Sequence, residues 1–355
     1  MAYTTINKST DYFNTKLYTG NNNVTQTISG VGFQPDFTWI KCRSDAEFNH
    51  LADAVRGANK FLHSNNTDAE RTGSRSSGYN TMAFTADGFS LTNPTSANDE
   101  LNFGSRTYTS WNWKASNTTA VSNTAGTISS TVSANTTAGF SIVSYTGNGT
   151  SGATVGHGLG ITPKMIIVKN RSAVTQWQVY HITTGGTASS QLSGTGTPDT
   201  ASSYWNNTSP NSTLFTLGTV TPTNGSGNSM IAYCFAEVKG FSKFGSYVGN
   251  GSTDGTFVYT GFKPAFVLMK SSSTGENWHI FDDARNTFNP ADKDLRPNLA
   301  NAETTSSVSN IDFLSNGFKL RNSDADYNGS GTTYIYMAFA EQTLVGTNNV
   351  PATAR

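Results

Sequence analysis

The sequence contains five histidines, the side chains that most often bind metals or exchange protons near neutral pH. Zinc sites are usually built from Cys and His pairs that are separated by about two to five residues. The histidines do not have this ligand spacing, and the two cysteines, Cys42 and Cys234, do not supply it. We therefore predict no zinc site from the histidines, which are His50, His63, His157, His181 and His279.

Three short acidic clusters could offer oxygen ligands to calcium. They are Asp282-Asp283, Asp292-x-Asp294 and Asp324-x-Asp326. None of them has the loop spacing of a known calcium motif, and short acidic clusters in polar loops are usually solvated. The sequence therefore predicts no metal and no cofactor.

Catalysis would need a serine tied to His and Asp, or two facing carboxylates. The sequence has no G-x-S-x-G elbow, whereas a carboxylate pair for glycoside hydrolysis stays open. Glu70 and Glu303 recur at matching positions of an internal repeat, as do Arg56 and Arg285. Because recurring ionisable residues favour a structural role, we predict buried Arg–carboxylate pairs within copies one and three, and no enzymatic activity.

Aromatic residues in loops rich in Asn, Ser and Gly are the remaining candidates, because exposed rings can stack on sugars. The candidate ligand-binding residues are Tyr204, Trp205, Asn206 and Tyr327. An equally open interpretation is that these rings are turn residues packed back onto a β-sandwich. The middle copy, around residues 204–211, is where we first expect a partner to bind.

The composition is typical of a polar β-protein. Hydrophobic residues make up 35%, charged residues 13% and aromatic residues 12% of the 355 residues. Disordered chains lack aromatic residues and carry excess charge. Because β-branched and aromatic residues pack strands while Gly and Asn form turns, we expect many short strands joined by polar turns.

Charge and cysteine content narrow the class of partner. The formal net charge is zero, so the field that would attract nucleic acid is missing. No apolar run approaches the roughly 20 residues of a membrane span, and the N-terminus has neither the basic start nor the apolar core of a secretion signal. We expect two separate reduced thiols, which fits synthesis in a cytoplasm.

The strongest signal in the sequence is an internal repeat. Each of three copies contains a Tyr-x-Gly-Asn strand end, a proline, a lysine six positions after that proline, a large aromatic residue and a closing apolar strand. The landmarks are Tyr18, Pro35, Lys41 and Phe48 in copy one, Tyr145, Pro163, Lys169 and Trp177 in copy two, and Tyr247, Pro264, Lys270 and Trp278 in copy three.

The spacing of the landmarks predicts the domain boundaries. From Tyr18 to Tyr145 is 127 residues, but from Tyr145 to Tyr247 is only 102. The excess matches residues 116–138, a Ser/Thr/Asn-rich stretch that we expect to be an extended linker. The predicted units are residues 1–115, 139–239 and 240–346, followed by a tail at 347–355. Copies two and three should abut, and copy one should stand apart.

Within each copy the periodicity is that of strands. Phe37, Trp39 and Lys41 share one face of a strand, and continuous apolar runs such as 165–168 indicate central strands covered on both faces. The one plausible helix, residues 45–61, is a weak signal. We predict an all-β protein with little helix, built from three tandem antiparallel β-sandwich units.

The landmark segments resemble an uncharacterised tandem-repeat family of virion proteins in marine tailed bacteriophages. The segments that carry the resemblance are Gly32–Lys41, Val155–Gly160 through Lys169–Arg171, Phe313–Arg321 and Pro351–Arg355. The resemblance covers essentially the whole chain. It implies a virion structural protein of the kind called tail-fibre-like, with a jelly-roll or lectin-like sandwich, and it carries over no catalytic residues.

Three functions from different classes follow as hypotheses. The first is a tail-fibre or receptor-binding component that contacts a glycan or receptor on the host surface. The second is a decoration protein that docks on capsid or tail, and the third is a polysaccharide depolymerase. We favour the first, located on the extracellular virion after synthesis in a host cytoplasm, with other virion proteins as partners. We also expect a homo-oligomer, a trimer by preference.

Overall fold

The structure is a computed structural model, and it describes residues 4–73, 81–93, 100–116, 118–305 and 309–342. The chain is all-β, with 43% strand and 6% helix, as the sequence predicted. The predicted tail at 347–355 lies outside the described residues. No helix in the described ranges is long and apolar enough to cross a membrane.

Short strands follow one another along the whole chain. Copy 1 contains β1 (Phe13–Thr19), β2 (Thr25–Ser29), β3 (Phe37–Cys42), β4 (Asn49–Asp53), β5 (Lys60–His63), β6 (Arg71–Thr72), β7 (Thr81–Thr85), β8 (Gly88–Thr92) and β9 (Thr107–Trp113), after a 3₁₀ turn at Ser9–Asp11. Then come β10 (Val121–Asn123), β11 (Ser130–Asn135), β12 (Phe140–Thr146), β13 (Ala153–Gly156), β14 (Pro163–Asn170), β15 (Gln178–His181), a 3₁₀ turn at Gly185–Thr187, β16 (Ser190–Gln191), α1 (Ser202–Trp205), β17 (Leu214–Leu217), α2 (Thr221–Asn224) and β18 (Ser229–Ala236). Copy 3 contains β19 (Ser242–Val248), β20 (Phe257–Tyr259), β21 (Pro264–Ser271), β22 (Trp278–Asp282), β23 (Lys293–Asp294), β24 (Thr304–Thr305), β25 (Ile311–Leu314), β26 (Gly317–Leu320), α3 (Ala325–Asn328) and β27 (Thr333–Ala340).

One antiparallel four-strand order recurs in the three copies. It is β1-β9-β3-β4, then β12-β18-β14-β15, then β19-β27-β21-β22. The pairing is also equivalent, because Phe37 faces Trp113 as Phe266 faces Phe339. In copies 2 and 3 a proline is the first residue of the third strand in this order, β14 or β21. The pairing of that strand with β18 or β27 shifts register immediately after the proline. Proline fits there because the first residue of a strand need not donate to the ladder.

Each four-strand array has a second, smaller sheet in the same copy. These sheets are β2-β8-β7, β13-β17 and β20-β26-β25. A separate apolar core in each copy contains residues of both the array and its smaller sheet. In copy 1, for example, Ile40 of β3 packs in one core with Ile28 of β2 and Phe89 of β8.

A fourth core is shared by all three copies. At its centre Trp113, which is 1% exposed, has ring centroids 5.2 Å from Phe37, 6.1 Å from Phe235, and 5.8 Å from both Phe266 and Phe339. These partners belong to copies 1, 2 and 3. Copy 1 therefore does not stand apart, because its array turns one apolar face towards the other two copies.

The three landmark lysines join the copies in a closed ring. All three are buried, and burial lowers the pKa of each to about 8. Each ammonium donates to a backbone oxygen of another copy. The bonds run from Lys169 Nζ to Thr67 O (3.0 Å), from Lys270 Nζ to Thr195 O (2.9 Å), and from Lys41 Nζ to Ala300 O (2.6 Å). Copy 2 thus reaches copy 1, copy 3 reaches copy 2, and copy 1 reaches copy 3.

The residues that face the lysines of copies 1 and 3, together with the landmark Trp177 of copy 2, make a second ring of hydrogen bonds in the same direction. Trp278 faces Lys270, and Asn49 faces Lys41. Phe48, the aromatic landmark of copy 1, is therefore one residue away from the position that faces the lysine. Asn49 occupies in copy 1 the position that Trp278 occupies in copy 3. The bonds run from Trp177 Nε1 to His63 O (2.8 Å), from Trp278 Nε1 to Gln191 O (2.9 Å), and from Asn49 Nδ2 to Pro297 O (2.9 Å).

The predicted Arg–carboxylate pairs within copies 1 and 3 are confirmed, and they also bridge copies. Arg56 binds Asp53 and Glu70 in copy 1, and Glu70 accepts two further bonds from Arg171 of copy 2. Tyr233 of copy 2 donates to the same Asp53 (2.7 Å). A second bridge of the same kind joins copy 1 to copy 3. Arg285 binds Asp282 and Glu303 within copy 3. From copy 1, Arg43 donates two bonds to Glu303 and Trp111 donates to Asp282.

These bridges keep the two glutamates ionised. Burial alone would raise the pKa of Glu70, but hydrogen bonds from Arg171 and the charge of Arg56 hold it below its usual value of 4.5. Arg43 and Arg285 do the same for the pKa of Glu303. Charge-assisted bonds of this kind are stronger than neutral ones, so the bridges contribute to holding the copies together.

Two local expectations are wrong. Residues 116–138 are not an extended linker, because β10 and β11 lie within them and pair successively onto β12. Ile128 and Val132 of this stretch are buried in the core of copy 2, which fixes it there. The segment 45–61 is not helical either: its β4 has Leu51 in the shared core and Ala52 in the core of copy 1, the two-residue period of a strand.

Cys42 and Cys234 are separate buried thiols, as expected.

Replacing Trp113 by alanine tests the shared core. We expect Trp113→Ala to lower the free energy of unfolding by about 3–5 kcal/mol, because it removes a buried ring that contacts all three copies. The matched control is Phe288→Ala, whose ring is 80% exposed and whose loss should change stability by no more than about 0.5 kcal/mol. Denaturant unfolding measures both, and equal effects would contradict the shared core.

Candidate functional site

The four predicted ligand-binding residues fall in two short helices of different copies. Tyr204 and Trp205 are in α1, Asn206 follows them directly, and Tyr327 is in α3. Trp205 and Tyr327 are each only 1% exposed, so neither ring is available to stack on a sugar. For these two rings the alternative interpretation holds, that they pack back onto the protein: Trp205 packs edge-on against Tyr180 in the core of copy 2, and Tyr327 packs in the core of copy 3.

Tyr204 and Asn206 remain at the surface, partly exposed. The Tyr204 hydroxyl donates to Asp199 Oδ2 (2.7 Å), and burial together with this carboxylate raises the pKa of Tyr204 to about 12. Asn206 adopts the left-handed conformation (φ 51°) that ends α1, and its Oδ1 accepts from Ser151 Oγ (2.8 Å). The pair offers a fixed ring edge and an amide, which are groups that can bind a polar ligand.

The other predicted residue, Tyr327, belongs to a dense cluster of titratable groups in copy 3. His279 is at its centre and is fully buried. Its Nδ1 is 3.1 Å from both Asp294 oxygens, and its Nε2 is 3.4 Å from Asp326 Oδ2. The Tyr327 ring lies 4.2 Å from the imidazole, and its hydroxyl donates to Asp294 Oδ2 (3.0 Å). Arg296 Nε donates to the same oxygen (3.2 Å).

The cluster balances its own charges. Burial disfavours the imidazolium of His279, but the adjoining carboxylates of Asp294 and Asp326 raise its pKa above 6.5. Burial would raise the pKa of Asp294, and the charge of His279 together with Arg296 lowers it below 3.8. The buried core of the cluster is thus a network of paired charges in the interior of copy 3.

At the outer edge of the cluster, the carboxylates of Glu276 and Asp326 influence each other's titration. The neighbouring Asp326 and partial burial raise the pKa of Glu276 to about 7, whereas the pKa of Asp326 is lowered, first by its contact with His279 (Nε2 to Oδ2, 3.4 Å). One of two neighbouring carboxylates keeps its proton to a higher pH than the other. The sequence singled out Asp324-x-Asp326 as possible calcium ligands, but Asp324 instead caps α3 by accepting from Asp326 N (2.8 Å).

Sequence reasoning missed His279, Glu276 and Arg296 as members of one cluster. The available signal was the recurrence of histidine beside the aromatic landmark, at His50 and His279. The neighbours of His279 come from β23, the loop after it and α3, which only the folded chain brings together.

A family model described as a domain of unknown function, DUF7483, matches residues 8–343. The chain belongs to this family. No curated protein matches the sequence. The matched range includes all three copies of the repeat, so the family's domain corresponds to the whole set of copies and not to one of them.

The raised pKa of Glu276 gives the cluster a pH dependence that Glu276→Gln should remove. The folded-state pKa of about 7 exceeds the ordinary value of 4.5, so the stabilising contribution is complete below 4.5 and is lost as the pH rises through about 7. Glutamine imitates the protonated carboxyl at every pH. We therefore expect the melting temperature of the wild type to fall relative to that of Glu276→Gln between about pH 4.5 and pH 8.

The control for this measurement is Asp11→Asn, an exposed carboxylate in copy 1. It should follow the wild type across the same pH range. Parallel pH profiles of wild type and Glu276→Gln would contradict the raised pKa of Glu276.

Proposed function

We propose that the chain is a structural protein of a tailed-phage virion, acting as a tail-fibre or receptor-binding component that contacts the host surface. One observation carries the structural part of this proposal: the recurring charged residues bind other copies of the repeat. Lys41, Lys169 and Lys270 donate across copies, and Glu70 and Glu303 bridge copies through arginines. These residues hold the chain together and are not grouped around a reaction centre.

The same proposal assigns the finer architecture. Each four-strand array with its smaller sheet forms one jelly-roll or lectin-like sandwich, and the three units are residues 1–115, 116–239 and 240–346, because the stretch 116–138 pairs onto copy 2. The separate core of each copy supports this division. The resemblance of the landmark segments to phage virion proteins supports the location on the particle. The ring of contacts also arranges three similar units about a common core within one chain.

The exposed groups suit binding better than catalysis. A groove of about 400 Å³ is lined by Ala54, Val55, Thr118, Thr119, Ala120, Thr131 and Ser133, none of which is ionisable. Glycoside hydrolysis needs two carboxylates that face one sugar. Asp326, the acidic neighbour of Glu276, is instead paired with His279 (3.4 Å) and Arg296 (3.9 Å). This pair therefore gives no support to a depolymerase, and the proposal includes no enzymatic activity.

One observation favours the second candidate, a decoration protein that docks on capsid or tail. Phe257 and Tyr259 alternate with buried Val258 on β20, so both rings lie on the outer face, 43% and 58% exposed. Val248, 55% exposed, accepts a bond from the neighbouring Thr256 through its carbonyl. Exposed apolar groups on one sheet edge are typical of protein–protein contacts.

Binding to host-surface glycans tests the first candidate directly. On a glycan array we expect the purified chain to bind, and we expect Tyr204→Ala to weaken that binding about tenfold, equivalent to about 1.4 kcal/mol. Tyr259→Ala, an exposed ring in another copy, is the matched control and should bind as the wild type does. Retained binding in Tyr204→Ala would reject the site in α1.

Imaging of the virion separates the two candidates. Density for this polypeptide at the tail tip supports the receptor-binding role and rejects decoration. Density on the capsid lattice, together with an empty glycan array, rejects the receptor-binding role. Cleavage of a bound polysaccharide would reject the non-enzymatic assignment.

A further inference from the structure

The fold brings together three residues whose sequence spacing predicts no metal site. His50 on β4 pairs directly with His63 on β5, and Glu100 reaches them from the chain before β9. One imidazole nitrogen of each histidine and a carboxylate oxygen all lie within 4.8 Å of one another. The three residues are 1%, 1% and 4% exposed.

His50 is oriented as metal-binding histidines usually are. Its Nδ1 is 3.1 Å from the Phe48 carbonyl oxygen, which can only accept a hydrogen bond, so this nitrogen carries a proton. Its Nε2 then points at Glu100 Oε2, 3.0 Å away. A ring whose far nitrogen donates to a backbone carbonyl presents its near nitrogen as a fixed ligand.

His63 supplies a second nitrogen that the protein does not otherwise use. Its Nε2 is buried and has no hydrogen-bond partner among the described residues. The ring is held in place by stacking on Phe48 (centroids 4.7 Å apart, 16° between planes) and by an edge-on contact with His50 (4.7 Å, 86°). Buried polar atoms without a partner are rare because they cost free energy, so this nitrogen points to a ligand.

The equivalent place in copy 3 indicates the charge of that ligand. His279 pairs with Met269 as His50 pairs with Ile40, so the two histidines are equivalent. In copy 3, Leu295 bridges to Ile280, and the residue that follows Leu295 is Arg296, whose guanidinium pairs with Asp294 beside His279. In copy 1, Leu62 pairs with Leu51, and the residue that follows Leu62 is His63. Copy 1 therefore has an imidazole where copy 3 has a guanidinium.

We propose that His50, His63 and Glu100 bind one divalent cation of the zinc type. Two imidazole nitrogens and one carboxylate oxygen form a ligand set that suits Zn²⁺, with water in the fourth position. The bound cation supplies the positive charge that Arg296 supplies in copy 3. It ties β4 and β5 to the chain that leads into β9, so the site stabilises copy 1.

Metal titration of the full-length chain tests the proposal. After chelator treatment and dialysis, Zn²⁺ and Co²⁺ are each added and followed by calorimetry, with Co²⁺ also followed by visible absorption. We expect one equivalent to bind per chain, a rise of the melting temperature with metal concentration, and the absorption of tetrahedral Co²⁺.

Two substitutions locate the site. His63→Gln and His50→Gln should each weaken binding by more than about 100-fold, beyond the roughly 10- to 100-fold cost of changing an outer-shell partner. Glutamine already occupies the position equivalent to His50 in copy 2, as Gln178. The matched control is His157→Gln, a buried histidine in copy 2 that should keep full affinity.

Circular dichroism checks that each variant is folded. Where a histidine variant does not fold, Glu100→Gln decides in its place, since its amide can still hydrogen-bond to His50. Absence of Zn²⁺ and Co²⁺ binding to the folded, chelator-treated chain would overturn the proposal. Unchanged affinity in the folded variants at these three positions would overturn it as well.

Discussion

The hydrogen bonds of three buried ammonium groups are the interaction on which the rest of the structure depends. Lys41, Lys169 and Lys270 are each the next-to-last residue of a central strand, and each donates to a carbonyl of another copy. A buried charge is tolerated only where it is hydrogen-bonded. Each ammonium also donates to a carbonyl of its own copy, so a copy alone would keep part of this hydrogen bonding and lose the acceptor that the other copy supplies. The three copies are therefore parts of one structure and not independent beads.

The apolar interior follows from the same arrangement. Each four-strand array turns one face to its own smaller sheet and the other to the core shared around Trp113. This explains why the third strand of the order contains a continuous run of four apolar residues in copies 2 and 3, since both faces are covered. Buried arginine–carboxylate bridges also join the copies, and removing one partner of such a bridge would leave a buried charge uncompensated.

Much of the fold could be predicted from the sequence, because strand periodicity and the repeat are local signals. The prolines at strand heads and the recurring Arg and Glu residues were sufficient to predict β-structure and the buried pairs. The strands around Ile128 and Val132 could not be predicted, because a polar stretch becomes a strand only when a neighbouring strand accepts it. The burial of Trp205 and the pairing of His50 with His63 likewise depend on contacts between distant segments.

The central claim, that the ring of contacts makes one cooperative unit, is tested most directly by native-state hydrogen exchange. Peptides from β3, β14 and β21 would be followed by mass spectrometry at increasing denaturant. If the copies depend on one another, the slowest amides of the three strands share one opening free energy, equal within about 1 kcal/mol to that of global unfolding. An opening of β3 that requires several kcal/mol less than that of β14 and β21 would contradict the account.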